Sequence, residues 1–107
     1  MRNASPTPRL VHTALVGLGS NLKTARLRRG LTRAQVAQAL VVSADTYRRV
    51  EIGQSNVAAG IYLSALHYFQ MLAPAFELAN PLSDAEGLIL EAKRKPQRGS
   101  LRRRTTG

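Results

Sequence analysis

Apolar residues recur along this chain at helical spacing, and no stretch alternates apolar with polar residues as a half-buried strand would. Pro6 and Pro8 make residues 1–15 read as an extended arm. Ser20 suits the N-cap of a first helix over about 20–29, with Leu22 and Ala25 facing inward and Gly30 just past its end. Thr32 followed three residues later by Gln35 is a capping box. It opens a second helix over 33–40 that sets Val36, Ala37 and Leu40 on one face. After the short connection Val41-Val42, Ser43 caps a third helix over 44–52, which buries Tyr47 and Val50 and stops at Gly53. Gln54-Ser55-Asn56 reads as a loop, and a fourth helix over about 58–70 lines up Ile61, Ala65, Leu66 and Phe69. Pro74 suits the first position of a short fifth helix over 74–79 carrying Phe76, ended by Asn80-Pro81. The pattern predicts an all-α, five-helix domain over residues 16–80, with the arm before it and an extension over 81–107 behind it.

Charge changes the picture. The 107 residues hold 16 Lys and Arg against six Asp and Glu, a formal charge of +10. A surplus this large points to a polyanionic partner. It is also segregated: +2 over residues 1–20, +5 over 21–53, −4 over 54–92, where no Lys or Arg occurs, and +7 over 93–107. The last stretch is polar and broken by Pro96 and Gly99, so it reads as a disordered basic tail, whose role as a DNA arm adding phosphate contacts is favoured over a segment that orders against an acidic groove on a partner protein and over a mere aid to solubility. The acidic stretch with its large apolar residues suits protein contact instead. With no cysteine and two histidines, His12 and His67, disulfides, thiolate chemistry and a metal centre are not expected, and no residue pattern calls for a cofactor. Residues 57–79 carry one formal charge, Glu77, but Gln70, His67 and Pro74 interrupt them, so a membrane span is not expected either.

Two short helices joined by a tight turn, with small Ala37 where they must approach, form a helix-turn-helix pattern. Arg26-Leu27-Arg28-Arg29-Gly30-Leu31-Thr32, Gln35-Val36-Ala37, Leu40, Val42-Ser43, Thr46 and Glu51-Ile52-Gly53 resemble the lambda-repressor-like (XRE-family) helix-turn-helix regulators, over roughly residues 18–80. The resemblance implies a five-helix lambda-repressor-like domain whose third helix enters the major groove. By position, Ala44, Asp45 and Arg49 would then meet base edges and Arg48 the backbone or flanking bases. Arg49 suits guanine bidentately, Asp45 the amino group of cytosine, and Ala44 a thymine methyl. Arg33 opens the second helix beside a phosphate, and Ser43, Gln54 and Asn56 add phosphate hydrogen bonds. The competing reading of Asp45, Arg48 and Arg49 is a set of surface ion pairs at i,i+3 and i,i+4. The resemblance also implies a partly buried pair between Arg26 and Glu51, rather than DNA contact by either. Tyr62, His67 and Tyr68 read as helix-face or interface residues, and Tyr47 as core. One departure stands out: the family usually has glycine where this chain has Val41, so either the turn adopts another conformation or the third helix tilts.

The expected function is a cytoplasmic, nucleoid-associated transcriptional regulator, a repressor, acting as a homodimer on double-stranded DNA. A narrower form is a HipB-like antitoxin that also binds a HipA-like, kinase-type toxin partner. The other class is a nonspecific nucleic-acid-binding protein driven by the basic tail. An enzyme is not expected, because the chain has neither a nucleophile motif nor a glycine-rich phosphate loop.

Overall fold

The computed structural model describes residues 6–94, so the expectations for residues 1–5 of the arm and 95–107 of the tail lie outside it. The chain divides into two units, Met1–Ala73 and Pro74–Gly107. The first holds helices α1 (Arg9–Arg28), α2 (Arg33–Leu40), α3 (Ala44–Ile52) and α4 (Ala59–Tyr68). A 3-10 turn, Ala73–Glu77, crosses the division. Beyond it come a second 3-10 turn, Pro81–Ser83, and a helix over residues 85–94, here α5. No strand occurs among the described residues.

The first helix is the largest correction to the sequence reading. It begins at Arg9, directly after Pro8, so residues 9–15 of the expected arm are helical. Ser20 lies inside the helix, where its carbonyl accepts the Thr24 hydroxyl at 3.2 Å. The reason is burial. Leu15, Leu18, Leu22 and Ala25 form one continuous inward stripe at helical spacing. A cap at Ser20, worth about 1 kcal/mol, cannot compete with extending that stripe back to Leu15, whereas residues 9–14 ahead of it are all exposed and burial does not account for them.

In the first unit α3 packs against both α1 and α2, and α2 against α4. Tyr47, Phe69, Leu22, Val36 and Val50 are fully buried between them. Tyr62 also belongs to this core, at 4 % exposure, rather than to an outer helix face. Its hydroxyl donates to the Gln54 carbonyl at 2.7 Å, so a buried polar group is satisfied. The spacing Tyr62, Ala65, Phe69 was the available signal for it. Two glycines allow α1 to lie directly on the end of α3. A Cβ on Gly19 would stand 2.5 Å from the Val50 carbonyl oxygen, and one on Gly53 2.5 Å from that of Leu15.

The connections follow the chain's punctuation. Gly30 takes a left-handed conformation, and the Gly30 and Leu31 amides close the end of α1 onto the Leu27 and Arg26 carbonyls. The Thr32–Gln35 capping box is formed in both directions, at 2.8 and 3.1 Å. Ser43 Oγ accepts the Thr46 amide at 3.0 Å to start α3. Between α2 and α3, Val41 stands at φ 59°, ψ 46°, and its amide and that of Val42 reach the Gln38 and Ala37 carbonyls. The turn therefore keeps the left-handed geometry that glycine would adopt, and holds a β-branched side chain, 89 % exposed, in it. Local strain replaces the alternative turn or tilted helix that the substitution suggested.

The expected fifth helix over 74–79 is instead the 3-10 turn Ala73–Glu77. The chain after it is more regular than its composition suggests. Asn80 Oδ1 accepts the Leu82 amide at 2.9 Å, and Asp84 Oδ1 accepts the Gly87 amide at 2.9 Å, which caps α5. Lys93 and Arg94, counted with the tail by charge, lie in α5.

Val41→Gly removes the Cβ from the left-handed position. It is expected to stabilise the domain by about 1 kcal/mol, the relief of strain exceeding the extra unfolded-state entropy of glycine. A melting experiment should show a rise of about 4–8 °C, and an unchanged or lower midpoint would mean that Val41 is not strained.

Candidate nucleic-acid interface

The candidate surface is the outer face of α3, whose orientation is set by its inner face. Tyr47, Val50 and Glu51, at helical spacing, are all buried. Glu51 reaches α1, where Arg26 Nε donates to Oε2 at 2.6 Å and Arg26 Nη2 to Oε1 at 3.1 Å. Arg26 Nη1 donates to the Leu31 carbonyl at 2.9 Å, so the guanidinium is fully engaged inside the protein. Arg33, at the start of α2, donates from Nε to Glu51 Oε1 at 3.1 Å. One carboxylate thus ties α1, α2 and α3 together. Burial pushes the Glu51 carboxyl up, but donation from Arg26 and Arg33 and the nearby Tyr47 hydroxyl outweigh that, and its pKa lies below the ordinary carboxylate value. Burial next to this carboxylate drives the Tyr47 hydroxyl far above its usual range.

With the inner face fixed, Ala44, Asp45 and Arg48 are exposed and Arg49 is half-buried. Asp45 holds both arginines. Arg48 Nη2 and Nε lie 2.7 and 3.1 Å from Asp45 Oδ1, and Arg49 Nε lies 3.4 Å from Oδ2, too far out of line for a hydrogen bond. Hydrogen bonding to Arg48 keeps the exposed Asp45 carboxyl below its usual pKa. The ion pairs read from the i,i+3 and i,i+4 spacing are therefore present on the same face that carries the DNA-facing candidates.

The remaining candidates sit at the ends of α2 and α3. Ser43 is exposed at the α3 N-cap. Asn56 is exposed in the loop after α3, and Gln54 is half-buried there, its amide bonded to the Arg49 carbonyl and its own carbonyl to Tyr62. Ser55, passed over in the sequence reading, accepts the Thr7 hydroxyl at 3.0 Å, so the chain entering α1 touches this loop. Its position in the polar run 54–56 was the only hint. Arg33 is brought to the surface but not left free: its side chain is 44 % exposed while paired with Glu51. Arg29, part of the stretch that carries the resemblance, was given no role by the sequence. It donates to the Ala25 and Phe69 carbonyls at 2.8 and 2.9 Å and lies over the Phe69 ring, which makes it a brace between α1 and the end of α4.

No group of His, Cys, Asp or Glu side chains able to hold a metal occurs among the described residues. No helix among them is long and apolar enough to cross a membrane.

Two short helices at a tight turn, a capped second helix with a solvent-facing cationic face and a support helix in front define a helix-turn-helix domain. The family model for the helix-turn-helix domain matches residues 17–75, more than half of the chain, and the protein belongs to that family. No curated protein and no solved structure matches it. The chain thus carries a helix-turn-helix DNA-binding domain, as the resemblance to the XRE-type regulators implied.

Glu51→Ala leaves Arg26 buried with one backbone acceptor. Breaking a buried pair in this way is expected to cost about 3–5 kcal/mol, read as a large fall in thermal midpoint. The pH dependence has a definite sign. The Glu51 pKa is depressed by folding, so its contribution is present above the ordinary carboxylate value and is lost as pH falls through the folded value. Stability of the native chain should decline below about pH 4, and Glu51→Gln should flatten that acid limb. An unchanged acid limb in Glu51→Gln would assign it to other carboxylates.

Proposed function

We propose that the protein is a sequence-specific transcriptional regulator, a repressor, that binds double-stranded DNA as a homodimer and reads the major groove with α3. The observation that carries this reading is the pairing of a rigidly anchored inner face, through Glu51, with an outer face that presents Ala44, Asp45, Arg48 and Arg49. A reading helix needs both: side chains that reach base edges and a backbone that does not shift when they do.

The roles follow from chemistry and position. Arg49 takes guanine O6 and N7, Asp45 accepts from a cytosine amino group, and Ala44 packs on a thymine methyl. Arg48, at the outer edge, takes the backbone or a flanking base. Arg33, Ser43, Gln54 and Asn56 hold phosphates on either side of the groove. Asp45 already holds both arginines of α3, so binding exchanges those contacts for contacts to DNA. Exposed ion pairs of this kind are worth about 0–1 kcal/mol, and a bidentate arginine–guanine contact about 1–3 kcal/mol, so the exchange is favourable on the right base and near neutral on the wrong one. The +5 charge over residues 21–53 supplies the sequence-independent attraction. A compartment that contains the genome follows: the cytoplasm, at the nucleoid.

Selection of bound sequences from random DNA tests the reading. The expected product is an inverted repeat, and absence of any enriched sequence would leave only nonspecific binding. On the selected site Arg49→Ala should cost about 1–3 kcal/mol and relax the preference at one base position. Arg33→Ala should weaken all sequences alike, and log K should fall by about 0.9 per phosphate neutralised for each unit of log salt. Identical behaviour of the two variants across a panel of sites would overturn the separation of base-reading from phosphate-holding residues.

A further inference from the structure

None of the described residues of the second unit is buried. Leu88 and Ile89, at the middle of α5, are 49 and 58 % exposed. With Ala85 and Ala92 they stand at i, i+3, i+4 and i+7, one apolar seam two turns long. Acids border it. Glu86 lies three residues before Ile89 and Glu91 three after Leu88, so a carboxylate runs along each edge of the seam. Just ahead of the helix, Glu77 and Asp84 line one open cleft with Asn80 and Ser83. The cover that fits is apolar in its middle and cationic at its margins. DNA, itself a polyanion, does not fit.

The chain carries such a segment immediately after α5. Residues 95–107 hold Lys95, Arg98, Arg102, Arg103 and Arg104, no acid, and one large apolar residue, Leu101. Pro96 and Gly99 are residue types that let a chain reverse direction. The lengths match. A ten-residue helix spans about 15 Å at about 1.5 Å per residue, and five extended residues span about 17 Å at about 3.3 Å each. A chain that reverses over 95–99 and returns along α5 therefore sets residue 101 level with Leu88 and Ile89, and residue 104 level with the start of the helix. We infer that residues 100–104 of this chain dock on the α5 seam, with Leu101 at its centre and Arg102, Arg103 and Arg104 on Glu86, Asp84 and Glu77. The aliphatic stems of the arginines cover the flanks of the seam while their guanidinium groups stay on the carboxylates. Exposed ion pairs are weak one by one. The tether at Arg94 makes the contact intramolecular, and the resulting effective concentration makes weak pairs sufficient.

The docking stands apart from the DNA reading. Only its consequence rests on that reading: DNA phosphates and the second unit compete for the same three arginines, and binding DNA releases them from the carboxylates.

The experiment uses the full chain. It has no cysteine, so Thr105→Cys gives a single site for a nitroxide spin label. At low salt and without DNA, the label should broaden the Leu88 and Ile89 methyl signals while leaving that of Ile61, in the first unit, sharp. Salt at about 1 M, where the screening length is about 3 Å, should restore most of the lost intensity. Glu77→Lys with Glu86→Lys should do the same at low salt, and it leaves the Asp84 cap of α5 in place. Unbroadened α5 signals overturn the inference, and so does broadening that survives both high salt and the charge reversal. A mixture of spin-labelled chains with isotope-labelled, label-free chains separates the covers: broadening in the mixture as strong as within one chain would make a second copy the cover and overturn the inference. Adding duplex DNA to the spin-labelled chain should restore the α5 signals, and DNA that binds without restoring them overturns the competition. A chain that binds no DNA would reject the regulator, while the docking is still decided by the DNA-free spectra.

Discussion

The carboxylate of Glu51 is the constraint on which the reading face depends. Among the described residues of the first unit, no other side chain joins three helices with charge-assisted bonds. Arg26 takes both its oxygens from α1, Arg33 takes one from α2, and Glu51 itself rides on α3. A buried ion pair gives little net stability compared with apolar residues of the same shape, because both charges lose their water. What it does give is a direction. Oil-like contacts between Tyr47, Val50 and their neighbours tolerate small rotations of α3, whereas two in-line bonds to a planar guanidinium do not. The glycine contacts add the translational half of the restraint: Gly19 and Gly53 let the α1 backbone rest on the carboxyl end of α3 with no side chain between them.

The same restraint accounts for the position of Arg33. Its sequence position, first in a helix, suggests a phosphate ligand, and its side chain is still half exposed. Its bond to Glu51 means that it is held against the protein before any DNA arrives. An arginine positioned in advance loses less rotamer freedom on binding than a solvated one, and this favours a contact that fixes register over one that merely adds charge.

Where caps and periodicity agreed, the sequence was enough. The second and third helices could be placed to the residue because Thr32–Gln35 and Ser43 start them and Gly53 ends the third, although the left-handed conformation of Val41 at the end of the second was not legible. The first helix was misplaced because a good local cap, Ser20, outweighed a longer stripe whose partners, Val50 and Glu51, lie thirty residues away. Tyr62 and Arg29 were missed for a related reason. The helical spacing of Tyr62 with Ala65 and Phe69 marked its burial but not its bond to the Gln54 carbonyl, and the bond of Arg29 to the Phe69 carbonyl, forty residues away, has no local pattern to encode it. Within the interface, the residue types and faces were legible. The pairing of Asp45 with both arginines was legible only as spacing, because spacing does not say whether an arginine turns toward its helix neighbour or away.

That pairing bears on how such a surface distinguishes its site from the bulk of DNA. Without Asp45, Arg48 and Arg49 would offer two unneutralised cations to any phosphate, and affinity would rise everywhere. With it, the recognition helix presents a nearly balanced charge, one acid against two bases, on a domain that is otherwise strongly basic. Under the proposed function, nonspecific attraction would then come from residues off the α3 face, and that face would contribute only where a base replaces the Asp45 contact with a better one. Under the proposed function, the arginines would therefore add to the difference between sites rather than to binding everywhere, which is the quantity a regulator must maximise against a genome of competing sequences.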